Sequence, residues 1–174
     1  MNETLIGGKW EMSVGNVLIP ASLLGDLSPN YAEGIMTANT QAGIRNQPSG
    51  MAETAELTGT IYVPNYDLIG VIFGIPEGQP IKFGGGSCKI SVTRPINVHQ
   101  VCDGKDGKND IHMYSGLAVV SFNPTLSTSD LLGFDFTIQA QPTNEGYFLL
   151  GHPDPENPTY WDVETQTWLP VPTT

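Results

Sequence analysis

Charge is scarce in this sequence, and positive charge is scarcest. Only 14% of the 174 residues are charged, where soluble domains average roughly a quarter. Seven Lys and Arg stand against 18 Asp and Glu, a formal net charge of −11. So few cations exclude a nucleic-acid clamp, which displaces counterions from phosphates with basic residues. They equally exclude docking on an anionic membrane surface. After Lys108 there is no Lys or Arg, and 110–174 holds Asp110, Asp130, Asp135, Glu145, Asp154, Glu156, Asp162 and Glu164. Such a stretch is either a solvated face that keeps the chain soluble or a surface that repels a polyanion or recruits a basic partner. Two cysteines exclude a disulfide framework, so Cys88 and Cys102 are expected to be thiols of a chain made and folded in a cytoplasm. The opening Met-Asn-Glu-Thr lacks the basic and apolar regions of a secretory signal. The longest apolar run, Leu68 to Pro76, has nine residues and is too short to span a bilayer.

Catalytic signatures are missing too. There is no Gly-x-Gly-x-x-Gly, since Gly84-Gly85-Gly86 leads into Ser-Cys-Lys; there is no P-loop, no Gly-x-Ser-x-Gly elbow and no His-Glu-x-x-His. The acidic loop 103–110 invites a calcium reading, but Lys105 and Lys108 fall where an EF-hand loop places a ligand oxygen and its glycine. An Asx/Gly turn is the better account. Cys88, His99, Cys102 and His112 lack the two tight pairs of a structural zinc site. Cys102 with His99 has no oxyanion-hole signal beside it. Cys88 and Cys102 are equidistant from Pro95, so a hairpin turning there would set two buried thiols opposite one another. His152, among prolines, is expected at the surface. The expectation is therefore a non-enzymatic chain with no cofactor and no metal.

What is abundant is punctuation and alternation. Twenty Gly and 14 Pro make up about a fifth of the chain, against roughly 12% in average domains. Many short elements follow. Residues 9–19 read as one strand ending at Pro20, and 20–30 as turn-rich. Residues 31–44 and 52–63 alternate with period 2 around the polar stretch Arg45-Asn46-Gln47-Pro48-Ser49-Gly50-Met51, which predicts a β-hairpin with an extended tip. Asp67 to Phe73 is the one helix candidate, capped by Asn65 or Asp67 and stopped by Gly74 and Pro76. Strands follow at 88–93, 96–102 and 111–122, the last apolar on both faces at its centre. Residues 131–141 alternate most cleanly, with Leu132, Phe134, Phe136, Ile138 and Ala140 inward. A turn at 142–146 then lets 147–150 pair back. The sum is a mainly β chain, a sandwich or barrel of about eight short strands with one short helix.

The organisation divides at about residue 150. Residues 1–150 form the β-sandwich unit. Residues 151–174 form a proline-rich linker and a small hairpin of 160–163 with 167–171. Tyr160, Trp161 and Trp168 gather there. They could stack on sugar rings, as in a carbohydrate-binding module, or close the hairpin and dock it on a core or partner.

The order of segments resembles the major tail tube proteins of long-tailed bacteriophages, whose fold is shared with the type VI secretion tube. The resemblance rests on the early hairpin 31–63 with its stretch Arg45–Met51, on the helix candidate behind it, and on Ile111-His-Met-Tyr-Ser-Gly-Leu-Ala-Val-Val-Ser-Phe-Asn-Pro followed by Phe134-Asp-Phe-Thr-Ile-Gln-Ala-Gln-Pro-Thr-Asn-Glu-Gly-Tyr. It covers about residues 5–150. It implies a structural virion subunit, forming hexameric rings that stack into a conduit with other tail proteins. DNA would pass through without specific binding, and the subunit would not bind membrane. On this resemblance Arg45, Asn46, Gln47, Pro48, Ser49, Gly50 and Met51 form the inter-ring stacking loop. Glu53 or Glu56, of opposite strand parity, would face the lumen or the ring interface. The tail 151–174 would be an extra arm gripping a neighbouring ring, or a surface decoration. Other virion parts, such as a tail terminator, a neck or a head decoration protein, fit the same pattern.

Overall fold

The protein is described here from a computed structural model, which describes residues 8–62, 66, 69–70, 75, 79–80, 93–120 and 133–172. Ten strands lie among these residues: β1 (Trp10–Val14), β2 (Val17–Ile19), β3 (Leu24–Thr40), β4 (Gly43–Tyr62), β5 (Thr93–Gln100), β6 (Ile111–Val120), β7 (Gly133–Ala140), β8 (Phe148–Leu150), β9 (Thr159–Asp162) and β10 (Thr167–Pro170). Eight of them form one antiparallel sheet in the order β2-β1-β5-β6-β7-β4-β3, with β8 added to β6; β9 and β10 pair separately.

The sheet curls around its core. Its inner face carries Met12, Val14, Ile19, Leu57, Ile61, Ile96, Val98, Met113, Phe134, Phe136, Ile138 and Ala140, all buried. Trp10 on β1 and Leu27 on β3, from opposite ends of the strand order, line one interior space of about 640 Å³. This is the mainly β, barrel-like architecture that the alternation predicted. Phe134, Phe136, Ile138 and Ala140 point inward as expected, with Asp135 and Gln139 exposed. Gly59 lets the wall close, because a Cβ there would come within 2.7 Å of Leu27 and 2.9 Å of Phe136.

Several boundaries differ from the reading of the sequence. Residues 9–19 are two strands, joined by a two-residue turn at Gly15-Asn16, where Gly15 has φ +59°. Gly-Asn is a hairpin signal, masked by the apolar residues around it. The stretch 20–30 is mostly strand: β3 begins at Leu24 and runs through Gly25, Asp26 and Pro29. β3 lies at the sheet edge, where a proline removes no ladder bond. A register shift between Leu24 and Leu27 absorbs the irregularity. Pro95 does not turn a hairpin; it lies inside β5 at a second register shift. Cys102 is exposed, not a buried thiol, and Cys88 lies outside the described residues. β8 pairs with Ile111–Met113 of β6 instead of returning along β7. Of the helix candidate, Ile69 and Gly70 are helical, with the Gly70 amide donating to Tyr66 O at 3.2 Å. The rest of that segment lies outside the described residues, as do Gly84–Gly86, Leu132 and 123–130. Among the described residues no helix is long and apolar enough to cross a membrane.

Candidate functional site

Three features of the outer surface bear on function. The first is the β3–β4 ribbon. β4 is flanked on both sides only from Glu56, which pairs with Asn30 and Gln139, to Ile61. Beyond Glu56, among the described residues, the two strands pair only with each other. Twelve residues from Asn30 to Gln41, eleven steps of about 3.3 Å each, give a two-stranded arm roughly 35 Å long. Its turn is Gln41-Ala42, with Thr40 Oγ1 donating to Gly43 O at 2.8 Å.

The residues expected to form a stacking loop, Arg45–Met51, lie within β4. Arg45, Asn46, Gln47 and Pro48 are strand residues, paired with Ala38, Thr37, Met36 and Ile35. Ser49, Gly50 and Met51 form an irregularity within β4, where Gly50 has φ +73° and Ser49 Oγ donates to Met51 O. The alternation of 31–44 had suggested a single strand, yet Gln41 and Ala42 are the turn. Gly43, with φ +116° directly after the turn, was the signal that could have marked it. Glu53 is the extra, exposed residue of a bulge between the pairs Ala32–Thr54 and Glu33–Ala52. The arm exposes Ile35 (70%), Met36 (51%) and Ile44 (72%).

The second feature is the outer face of β3, β4 and β7. Registers place Ser28, Asn30, Glu56, Thr58, Thr60, Asp135, Thr137 and Gln139 together on it. Thr60 Oγ1 donates to Asp135 Oδ1 at 2.7 Å. These side chains are hydroxyl, amide or carboxylate; none is cationic. Glu56 thus sits on a bare acidic and polar sector, and Glu53 sits on the arm.

The third feature is the outer face of β1, β5 and β6, which the β9–β10 hairpin covers. His112, 2% exposed, lies beneath it. The Trp161 and Trp168 rings stand 4.3 and 5.4 Å from the imidazole and 5.6 Å from each other. They do not form a flat platform for a sugar. Tyr160 is separate, with the Lys105 ammonium 5.2 Å above its ring. The Gly107 amide donates to Thr159 O at 3.0 Å.

Under the hairpin runs a polar chain that the sequence did not reveal. His99 Nε2 donates to Gly104 O at 2.8 Å, and His99 Nδ1 meets Asp110 Oδ1 at 2.6 Å. Asn97 Nδ2 donates to Asp110 Oδ2 at 2.8 Å, and His112 Nδ1 donates to Asn97 Oδ1 at 3.2 Å. The hydrogen bond with Asp110 raises the pKa of His99 above 6.5 despite partial burial. Burial lowers that of His112 to about 4. Asp110, counted among the acids of a solvated face, is 1% exposed and partnered. Ser13 Oγ, Thr159 Oγ1 and Trp161 Nε1 are buried there without a protein partner. Among the described residues, no three of His, Cys, Asp and Glu are placed to hold a metal ion.

Where the arm leaves the body, Tyr31 stands 6.1 Å from Tyr147 and 6.5 Å from Phe148. The Ala52 amide donates to Tyr147 Oη at 3.4 Å. Together with the 142–146 turn these residues border a groove of about 650 Å³. Sequence reasoning passed over it because its walls come from segments more than 90 residues apart.

No protein-family model matches the chain, and no curated protein matches it. Solved structures do. A chain from the sheath/tube terminator of an extracellular contractile injection system, PVC, in the extended state, superposes with a TM-score of 0.60 at 13% identity. The match covers 87% of this chain and 100% of that one. A chain from the sheath–tube complex of the same system superposes with a TM-score of 0.57 at 14% identity, over 80% of this chain and 89% of that one. The chain shares its fold with components of an extracellular contractile injection system, which agrees with the tube-related fold the segment order suggested without singling out a phage tail tube protein.

Proposed function

We propose that this protein is a non-enzymatic structural subunit of a tail-like tube. Copies form rings that stack head to tail, held by the β3–β4 arm, in contact with other tail proteins. The observation that carries this reading is the arm itself. An isolated two-stranded ribbon is marginally stable in water, and this one exposes Ile35, Met36 and Ile44. Exposed apolar surface of this kind marks a contact made with another molecule. Heterologous contacts between identical copies close into rings or extend into filaments.

The cation-free sector around Glu56, Thr60 and Asp135 supplies a channel wall. A polyanion such as DNA would slide along carboxylates and hydroxyls without binding, since no phosphate would find a counter-charge. The particle is a virion tail or a related injection device. The fold likeness extends to a chain of a sheath/tube terminator as well as to one of a sheath–tube complex, so a ring that ends the tube is the second reading. Electron microscopy of the concentrated protein tests both. Long tubes of uniform diameter support the tube subunit, single rings support the terminator, and monomers at every concentration contradict either.

A further inference from the structure

We infer that the groove at the base of each arm is the receptor for the arm tip of a second copy of this chain. This rests on the ring-subunit reading and names the surface that reading needs. The groove is apolar and open: Tyr31, Met51 and Leu150 border it at 50, 65 and 77% exposure, with Tyr147 and Phe148 behind them. The tip is equally uncovered, with Ile44, opposite Asn39, 72% exposed beside the turn.

A chain cannot fill its own groove. The Gly50–Met51 side of the groove lies beside Gly34, and the Gln41-Ala42 turn lies seven residues further along the ribbon, roughly 23 Å at about 3.3 Å each. Charge points to the same pairing. Arg45 is the cation of the arm and makes no ion pair among the described residues. Glu145 is exposed on the 142–146 turn that walls the groove, and no Lys or Arg follows Lys108 to compete for the tip. Tip and groove are different surfaces of one chain, so the contact is heterologous and propagates.

Complementation between variants tests this. Ile44→Asp spoils the tip and leaves the groove; Leu150→Asp spoils the groove and leaves the tip. Each alone is expected to remain folded by circular dichroism and monomeric by light scattering. Mixed in equal amounts, the intact tip of one enters the intact groove of the other, giving a dimer and nothing larger. Arg45→Glu and Glu145→Arg should each raise the concentration needed for assembly roughly tenfold, and the two together in one chain should restore it. If the wild type assembles but the mixed variants never pair and the charge reversals have no effect, the groove is not the receptor, although the ring reading stands. If the wild type stays monomeric at all concentrations, both fall.

Discussion

At the scale of single residues, His99 and His112 sit three hydrogen bonds apart, through Asp110 and Asn97, and are shifted in opposite senses. His112 is held at about 4, below 6.5, by burial under two indoles. The unfolded chain therefore binds a proton that the folded chain refuses between those values, and stability falls as the pH drops from 6.5 towards 4. Two and a half units correspond to about 3 kcal/mol. His99 has its pKa raised by Asp110. Its contribution is complete below 6.5 and is lost only as the pH rises through the higher folded value. The two windows do not overlap. His112→Gln should flatten the fall in Tm between pH 6.5 and 5 and leave the alkaline side unchanged. A slope identical to wild type would show that His112 stays solvated. Neither role was legible in the sequence. His99 and His112 stood out as chemistry-bearing types, but Asp110 read as one surface acid among eight. Only the register of Asn97 opposite His112 brings the group together.

At the scale of elements, the arm and the C-terminal hairpin are each two-stranded, yet they differ in what covers them. The hairpin is closed over His112 by Trp161 and Trp168. Trp168→Ala should release it locally. The Gly107 amide, which donates to Thr159 O, should then exchange its hydrogen much faster, while Met12 and Met113 in the core stay protected. Equal exchange at all three would mean that the indole does not hold the hairpin. The arm has no such cover. Replacing residues 36–47 by Asn-Gly shortens the ribbon to the Ile35–Pro48 pair. Thermal unfolding of that variant should match the wild type, whereas assembly should disappear; a large drop in Tm would show the arm to be part of the fold. The strands with one buried face were readable because burial imposes alternation, as in 133–140. The arm buries neither face, so its pattern carried no information about the turn. Bulges at Glu53 and at Ser49–Met51 shift the parity further. Pro29 and Pro48 read as breakers, yet each lies in a strand where neighbouring ladder bonds are few or interrupted.

At the scale of the whole molecule, the curled sheet presents different outer sectors. One is capped by the hairpin, and one is polar and, among the described residues, carries no cation. From it an arm projects past an apolar groove. The net charge of −11 takes on a location in this arrangement: Asp110 is internal, and Glu56 and Asp135 lie on the sector assigned to the channel. The fold class was legible from alternation, and the order of segments pointed to the broader fold likeness with contractile injection system components. The receptor groove was not, because Tyr31 and Tyr147 meet only in three dimensions. On the proposed reading the free subunit is incomplete and closes its exposed ribbon on other copies of itself. Negative-stain electron microscopy of the purified wild-type protein across a concentration series tests it most directly. Rings or stacked tubes of one uniform diameter, absent from the arm-shortened variant, are the predicted result. A field of monomers at the highest concentration, the same for both proteins, would contradict the account.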